Sequence, residues 1–312
     1  MKIDLQRLII VIGLVFVVSL VYKAAFITSY SYGSNYENVT IDTQVNITNA
    51  PPTVLTVTID EEVNGLDNIT LSAGQTRSIY CNVTVRDWNG YDDVNMTNAT
   101  LWDDDSVNMG DVDDENNHYT NSSCTNVGND GTYLSYWQCA FDVYYYANNG
   151  SNWKCNATAL DDSNFTDSNY NTTTINPLYA LNISTQSIDY GDVPVEGTSD
   201  NQTADVINFG NMDINVSLWG YAKNPGDNLA FNCSLNGNIS IGNERYGLNP
   251  VDDWNAKTNL SSTATDLGLT ITKQTALGVP KQNTTYWQVY IPADENPAGF
   301  CTGNVVFEAT AP

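Results

Sequence analysis

The hydrophobic positions of this chain follow two patterns, one continuous and one alternating. From Leu8 to Tyr22 the residues are uncharged and almost all apolar, whereas beyond Ile27 apolar residues alternate with Asn, Thr and Asp. Alternation with a period of two is typical of half-buried β-strands, and no later stretch keeps a helical period. The pattern therefore predicts one N-terminal hydrophobic α-helix followed by an all-β chain.

The apolar run Leu8–Tyr22 has more than one interpretation. Its length fits the roughly 7–15 residues of a signal-peptide core. With Leu5 and Lys23–Ile27 added, it reaches the roughly 20 residues of a membrane span. No good cleavage site follows the run, which favours retention over removal. A retained helix is either a membrane anchor or the core of a filament.

The assembly hypothesis assigns contacts to two segments. If the helix packs with copies of itself, its contact residues are Leu8, Ile12 and Val15. After a Ser/Tyr/Asn/Gly-rich linker, Val39, Ile41, Val45 and Ile47 alternate strictly with polar residues, which predicts a strand. That strand is either the first strand or stalk of the next domain, or a strand that completes the sheet of a neighbouring subunit.

Strand patterns and turn residues recur over the rest of the chain and predict two tandem β-sandwich domains. The first domain is expected over residues 51–176, with strands at Val54–Ile59, Ser78–Val85, Met96–Trp102, Tyr133–Tyr145 and Asn152–Ala159. The second is expected over residues 177–312, with strands at Ala180–Ile188, Thr203–Phe209, Ile214–Tyr221, Leu229–Cys233, Asn259–Ala264, Leu267–Thr272, Tyr286–Ile291 and Gly303–Ala309. Residues 1–28 are the predicted helix and residues 29–50 the linker with its strand-like segment.

The six cysteines all follow the apolar run and are even in number, as in the disulfide framework of an exported protein. The predicted domain division pairs Cys233 with Cys301. Among the other four, Cys81–Cys155 would join an early strand to a late one and Cys124–Cys139 would close a local loop. These pairings are favoured among several that the sequence allows.

Asn-x-Ser/Thr sequons spread over the whole exported part and predict a surface carrying N-linked glycans. Compositional chance is the alternative for any single site in so Asn-rich a chain. The candidate asparagines are Asn38, Asn46, Asn68, Asn82, Asn95, Asn98, Asn121, Asn149, Asn156, Asn164, Asn171, Asn182, Asn201, Asn215, Asn238, Asn259 and Asn283.

Charge excludes some partners and indicates one cofactor. The chain has 36 acidic against 11 basic residues, a formal charge of −25, so binding to nucleic acid is not expected. Some of the acids cluster in turns, where oxygen donors suit a hard cation such as calcium. The candidate Ca²⁺ ligands are Asp87, Asp92, Asp103 and Asp105; solvated acidic loops are the alternative.

No catalytic constellation is evident, and the chain is predicted not to be an enzyme. His118 is the single histidine, and its position in an Asp/Asn-rich loop predicts an exposed side chain. The seven Trp and nineteen Tyr would fill the sandwich cores or, alternatively, form a sugar-binding face.

The segments Ile79–Val83 and Trp153–Ala157 each centre on a cysteine. They resemble the early and late cysteine-bearing strands of immunoglobulin-like domains, which implies an Ig-like sandwich whose central tryptophan would be Trp88 or Trp102.

Modules such as Ile188–Val193 and Ala298–Gly303 resemble β-sandwich modules of prokaryotic, especially archaeal, surface-layer and filament proteins. The layout of an apolar helix before sandwiches is similar to that of archaeal pilins, although their basic processing site is missing ahead of Leu8.

These observations predict a non-enzymatic, glycosylated structural subunit of an extracellular assembly at the cell surface, a pilus-like filament or a surface layer. Its partner would be further copies of itself, with the helix as an additional contact to a membrane. The alternative is a membrane-anchored adhesin or glycan-binding receptor that acts as a monomer.

Overall fold

A computed structural model describes residues 40–60 and 68–312. The predicted helix, with Leu8, Ile12 and Val15, lies outside the described residues, as do Asn38 and Val39. The chain divides into two units between Thr48 and Asn49, and the predicted boundary at residue 176 stays a prediction. Within the described ranges the chain is all-β, and it has no helix of the length and apolarity that crossing a bilayer requires.

The first group of strands, called here the first sandwich, contains β1 (Thr53–Asp60), β2 (Thr76–Arg86), β3 (Val94–Asp103), β4 (His118–Asn121), β5 (Thr125–Asn129), β6 (Leu134–Tyr144), β7 (Gly150–Asp161) and β8 (Thr166–Ile175). They form two antiparallel four-stranded sheets, β1-β2-β6-β5 and β4-β3-β7-β8. Alternate residues point inward along each long strand, so that β2 and β7 read buried, half-buried, buried over most of their length. The predicted strands of this region are all present.

The core between these sheets contains Trp153, which is fully buried next to the Cys81–Cys155 disulfide. The central tryptophan is therefore neither of the two residues that the Ig-like resemblance implied. Trp88 is 58% exposed, and Trp102 is buried but directs its indole N–H to Asp104 outside this core.

The second sandwich contains β9 (Leu181–Ile183), β10 (Gln202–Asn208), β11 (Ile214–Tyr221), β12 (Leu229–Cys233), β13 (Asn238–Ser240), β14 (Glu244–Gly247), β15 (Thr258–Asn259), β16 (Thr265–Ile271), β17 (Gln282–Val289), β18 (Cys301–Thr302) and β19 (Asn304–Thr310). The sheet β15-β14-β17-β10-β9 packs on β16-β11-β19, and β13-β12-β18 forms a small third sheet. Two predicted strands are much shorter than expected: Ala180–Ile188 reduces to β9, and Asn259–Ala264 overlaps only with the end of β15.

Close backbone contacts join the two sandwiches. Gly74 donates its N–H to the Phe209 carbonyl at 3.1 Å, and it has a positive φ of 68°. A Cβ added to Gly74 would lie 2.3 Å from the Phe209 ring, so only glycine fits there. The Tyr145 hydroxyl also reaches Gln274 at 2.5 Å, and its ring packs on Phe209.

The structure pairs Cys81 with Cys155, Cys124 with Cys139, and Cys233 with Cys301. These are the pairs that the sequence favoured. The first disulfide links β2 to β7 and so joins the two sheets of the first sandwich across its core.

Candidate assembly groove and cation site

The predicted strand Val39–Ile47, called here the arm, is an exposed segment without regular structure in its described part. Residues 40–48 pair with no strand within the described chain. The side chains of Ile41, Val45 and Ile47 are 78%, 83% and 82% exposed. The interpretation of the arm as a first strand of the next domain is therefore wrong for these residues, whereas a stalk and a donated strand both stay predictions.

The second sandwich contains a groove that encloses about 1000 Å³. The groove is lined by the segments 185–195 and 297–303 and by Asn304, Val305 and Phe307 of the edge strand β19. Apolar side chains line much of the groove, among them Val193, Phe231, Val289, Ile291, Val305 and Phe307. Phe300 lies at the same groove and is 79% exposed.

Two segments that line this groove have backbone groups without a backbone partner in the described chain. Strand β19 is hydrogen-bonded only to β11, so its other edge has no strand beside it in the described chain. Residues 185–193 form no backbone–backbone hydrogen bond with any described residue. Unpaired backbone along a sheet edge is the usual template for an added strand.

A buried carboxyl group also lines the groove. Glu244, on β14, is 3% exposed and accepts a hydrogen bond of 2.7 Å from the Tyr190 hydroxyl. Burial raises the pKa of Glu244 to about 7, because the charged form loses its hydration and the Tyr190 donor only partly compensates. Burial likewise raises the pKa of Tyr190 well above its ordinary value.

Three aspartates come together at one end of the first sandwich. Asp87 follows β2, Asp93 ends the short 3-10 turn before β3, and Asp161 ends β7. One carboxylate oxygen from each lies within 4.8 Å of the other two. Asp87 and Asp161 are 0% and 1% exposed, and Asp93 is half-buried.

The electrostatics of this cluster are unfavourable for three ionised carboxylates alone. Burial raises the pKa of Asp87, and the charge of Asp161 adds to the rise. The pKa of Asp93 is raised by burial and by the charges of Asp87 and Asp161. Like charges held this close in a poorly hydrated site need protons or a cation.

Of the four predicted calcium ligands, the structure places only Asp87 in this cluster. Asp92 belongs to the same turn, but its side chain is exposed and lies outside the cluster. Asp93 and Asp161 take part instead. The local turn pattern could have indicated Asp93, which is adjacent to Asp92, whereas only the fold brings Asp161 beside Asp87.

Asp103 and Asp105 lie at a different place, around a cavity of about 450 Å³ that Lys273 also lines. Asp103 is 3% exposed, and its oxygens accept hydrogen bonds from the Ser106 hydroxyl at 2.6 Å and from Asn148 at 3.1 Å. Asp105 accepts one from Asn152 at 2.9 Å. Lys273 provides positive charge beside these carboxylates, and neither of them belongs to the cluster of three aspartates.

His118 is not the exposed loop residue that the sequence predicted. It begins β4, is 1% exposed, and both ring nitrogens are engaged, Nδ1 with Asp113 Oδ1 at 2.8 Å and Nε2 with the Met109 carbonyl at 3.0 Å. Pairing of β4 with β3 buries this ring, which a polar local sequence does not reveal. In this position His118 holds the loop before β4.

The sequon asparagines lie at the surface wherever the structure describes them. None of those within residues 40–60 and 68–312 is buried; Asn82, Asn98, Asn121, Asn156 and Asn215 are half-buried and the others are exposed.

Trp88 and Tyr133 form an exposed aromatic pair, with ring centroids 5.1 Å apart and the Arg86 guanidinium 4.7 Å from the Trp88 ring centroid.

No protein-family model and no curated protein matches this chain. Among solved structures, it is similar to the CsuC–CsuE chaperone–tip adhesion subunit complex of Acinetobacter baumannii, with 12% identity, a TM-score of 0.35, and coverage of 77% of this chain and 96% of that one. It is also similar to the CupB6 tip adhesin of Pseudomonas aeruginosa, with 9% identity, a TM-score of 0.26, and coverage of 82% and 94%. Both TM-scores are below 0.5.

Proposed function

We propose that this protein is an extracellular structural subunit that assembles with copies of itself by strand exchange. In this assembly, the arm of one copy occupies the groove of the second sandwich of the next copy. The observation that carries the proposal is the arm itself, whose alternating apolar side chains are almost fully exposed.

The groove complements such a strand in length and chemistry. Strand β19 has seven residues, or about 23 Å at 3.3 Å per residue, and the arm is slightly longer. A strand added beside β19 would find backbone groups without backbone partners there and in residues 185–193, next to the apolar side chains of the groove. Its apolar face would leave water, which is the main driving force for association.

The disulfides and the exposed sequons support an exported protein. The structure has three disulfides within residues 49–312, and disulfides persist mainly in oxidising compartments. The exposed sequons can accept N-linked glycans without disturbing either core. A formal charge of −25 would oppose packing of copies unless cations or salt screen it, so assembly should strengthen with ionic strength.

The test is electron microscopy of the full chain with two matched variants. Val45→Asp puts a charge on the apolar face of the arm, and we expect it to abolish filaments or sheets. Gln44→Asp adds the same charge to the opposite face and should still assemble, and both variants keep the sequons of Asn38 and Asn46. Equal loss in both variants, or assembly that survives the first, would contradict strand exchange and favour the N-terminal helix as the contact.

A glycan-binding adhesin is the second candidate, and the exposed Trp88–Tyr133 pair is the observation in its favour. Exposed aromatic rings stack on the apolar faces of sugars, and Arg86 already covers part of Trp88. If the protein stays monomeric under all conditions and Trp88→Ala removes glycan-array binding while Tyr170→Ala does not, the adhesin function replaces the structural one.

A further inference from the structure

The carboxylates of Asp87, Asp93 and Asp161 have the geometry of a divalent-cation site. Oxygens that share one Ca²⁺ each lie about 2.4 Å from it, and hence up to about 4.8 Å from one another. One oxygen from each of these three residues meets that limit. We propose that this cluster binds a single Ca²⁺ ion, and that the ion clamps the two sheets of the first sandwich together.

Unpartnered oxygen atoms point to a missing ligand. Asp87 is fully buried; its Oδ1 accepts the Asn89 N–H at 2.8 Å, but its Oδ2 has no partner among the described residues. Asp93 Oδ2 is likewise buried without a partner. A buried ionised oxygen without a donor is costly, and a bound cation removes that cost.

No protein cation neutralises the cluster within the described chain. The ion pairs found in residues 40–60 and 68–312 are Lys154–Asp104 and His118–Asp113, both at other places. The nearby Arg86 guanidinium lies over the ring of Trp88. The negative charge of Asp92 and Asp162 adds to the field at Asp93, so the site attracts positive charge from solution.

The chemistry of the donors selects calcium among common metals. The three candidate ligands are carboxylates, and neither histidine nor cysteine belongs to the cluster, which disfavours zinc. Calcium accepts six to eight oxygens in irregular geometry, so water and bidentate carboxylates can complete its shell. Asn49 is a further candidate ligand: its Nδ2 lies 2.6 Å from Asp161 Oδ2, and rotating the amide would present an oxygen instead.

The location gives the ion a structural role. Asp87 follows a strand of one sheet and Asp161 ends a strand of the other, each further along the strand from Cys81 and Cys155. The disulfide therefore joins β2 and β7 in mid-core, and the ion would join the same two strands at their ends. Asn49 and Ala50 also contact this turn, with the Ala50 N–H donating to Asn89 Oδ1 at 2.7 Å, so the ion would stiffen the residues that follow the arm.

The experiment is calorimetric titration of the EDTA-treated full chain with CaCl₂ at physiological ionic strength, where diffuse attraction to the acidic surface is screened. We expect one Ca²⁺ per chain, weaker binding of Mg²⁺, and a rise in the thermal unfolding midpoint with Ca²⁺ concentration. Asp87→Asn and Asp93→Asn should each weaken Ca²⁺ binding by about tenfold or more, since mutation of residues that only hydrogen-bond to metal ligands already lowers metal affinity by that much.

Two controls make the test specific. Asp92→Asn removes the same charge from an exposed position in the same turn and should change the affinity little. Asp103→Asn/Asp105→Asn removes charge from the other acidic loop, and the heat of Ca²⁺ binding should be unchanged in this variant. Should Asp87→Asn fail to fold, the half-buried Asp93→Asn carries the comparison. Absence of saturable binding, or equal weakening by Asp92→Asn, would overturn the proposal.

Discussion

The two sandwiches are built from the same kind of alternating strand, but they close their cores differently. In the first sandwich, two four-stranded sheets enclose Trp153 and a disulfide, and the acidic cluster lies at one end. In the second, residues 185–193 have no strand pairing in the described chain, and they line a groove together with the start of β19. A closed sandwich buries its apolar side chains within its own fold. An open sandwich keeps apolar side chains and backbone hydrogen-bonding groups available to another chain.

The largest expected difference concerns the disulfides. Cys81–Cys155 and Cys233–Cys301 close loops of similar length, with sequence separations of 74 and 68, so loop closure predicts about 4 kcal/mol for each. Cys81 and Cys155 are fully buried, whereas Cys301 is half-buried. Cys81→Ala/Cys155→Ala should therefore lose more free energy of unfolding than Cys233→Ala/Cys301→Ala, because cavities are added.

Urea unfolding followed by tryptophan fluorescence measures both variants. Equal losses would mean that the core around the first disulfide relaxes as freely as the edge of the second sandwich, and the distinction between a closed and an open core would fail.

The next prediction concerns the pH dependence of the free energy of unfolding that Glu244 gives to the second sandwich. Glu244 has a folded pKa of about 7, above its ordinary value of 4.5, so between these values the folded state binds more protons than the unfolded state. Stability should therefore fall as pH rises from about 4.5 to 7, by roughly 3 kcal/mol for this group. Glu244→Gln, which keeps the shape of the side chain, should remove that part of the slope.

The measurement is the free energy of unfolding of wild type and Glu244→Gln at pH 5 and pH 8. The difference between the two proteins isolates Glu244 from the other titrating groups. An unchanged difference across this range would show that water reaches Glu244 through the groove and keeps its pKa ordinary.

The smallest effect on stability should come from the rim of the groove. Phe300→Ser removes a side chain that is 79% exposed, so the free energy of unfolding should change by no more than about 0.5 kcal/mol. Self-association should nevertheless weaken, because Phe300 lines the groove. Phe165→Ser, at a residue of the first sandwich that is 49% exposed, is the matched control and should assemble normally in sedimentation velocity.

Much of the strand pattern was predictable, and the exceptions have a physical cause. Ile214–Tyr221 and Leu229–Cys233 were predicted at the bounds that the structure shows, because alternation directly encodes one buried face. Strand β8 was missed: it is polar over nearly its whole length and is largely exposed at a sheet edge. Pairing with β7 makes it a strand, and local sequence contains little sign of that pairing.

The candidate sites also differ in how far local sequence predicts them. The alternation of the arm predicted a strand, but residues 40–48 have no regular structure in the described chain, and the role of the arm in assembly stays a prediction. The groove was not predicted, since Phe231, Val289 and Phe307 come from distant strands. In the acidic cluster the sequence indicated Asp87 from the oxygen donors of one turn, but it also named Asp103 and Asp105, which lie outside this cluster.

By itself, the sequence determined the all-β class, because alternation depends on residue type and on short spacing, and it favoured the cysteine pairs that the structure also shows. The strand that alternation predicted at the arm is absent from residues 40–48. The tertiary structure alone decided that His118 is buried, that Asp161 joins Asp87 and Asp93, and that the second sandwich stays open beside β19. These features depend on which strands, distant in sequence, pair or pack together. The free energy that stabilises such pairing comes from packing over the whole core rather than from any local pattern.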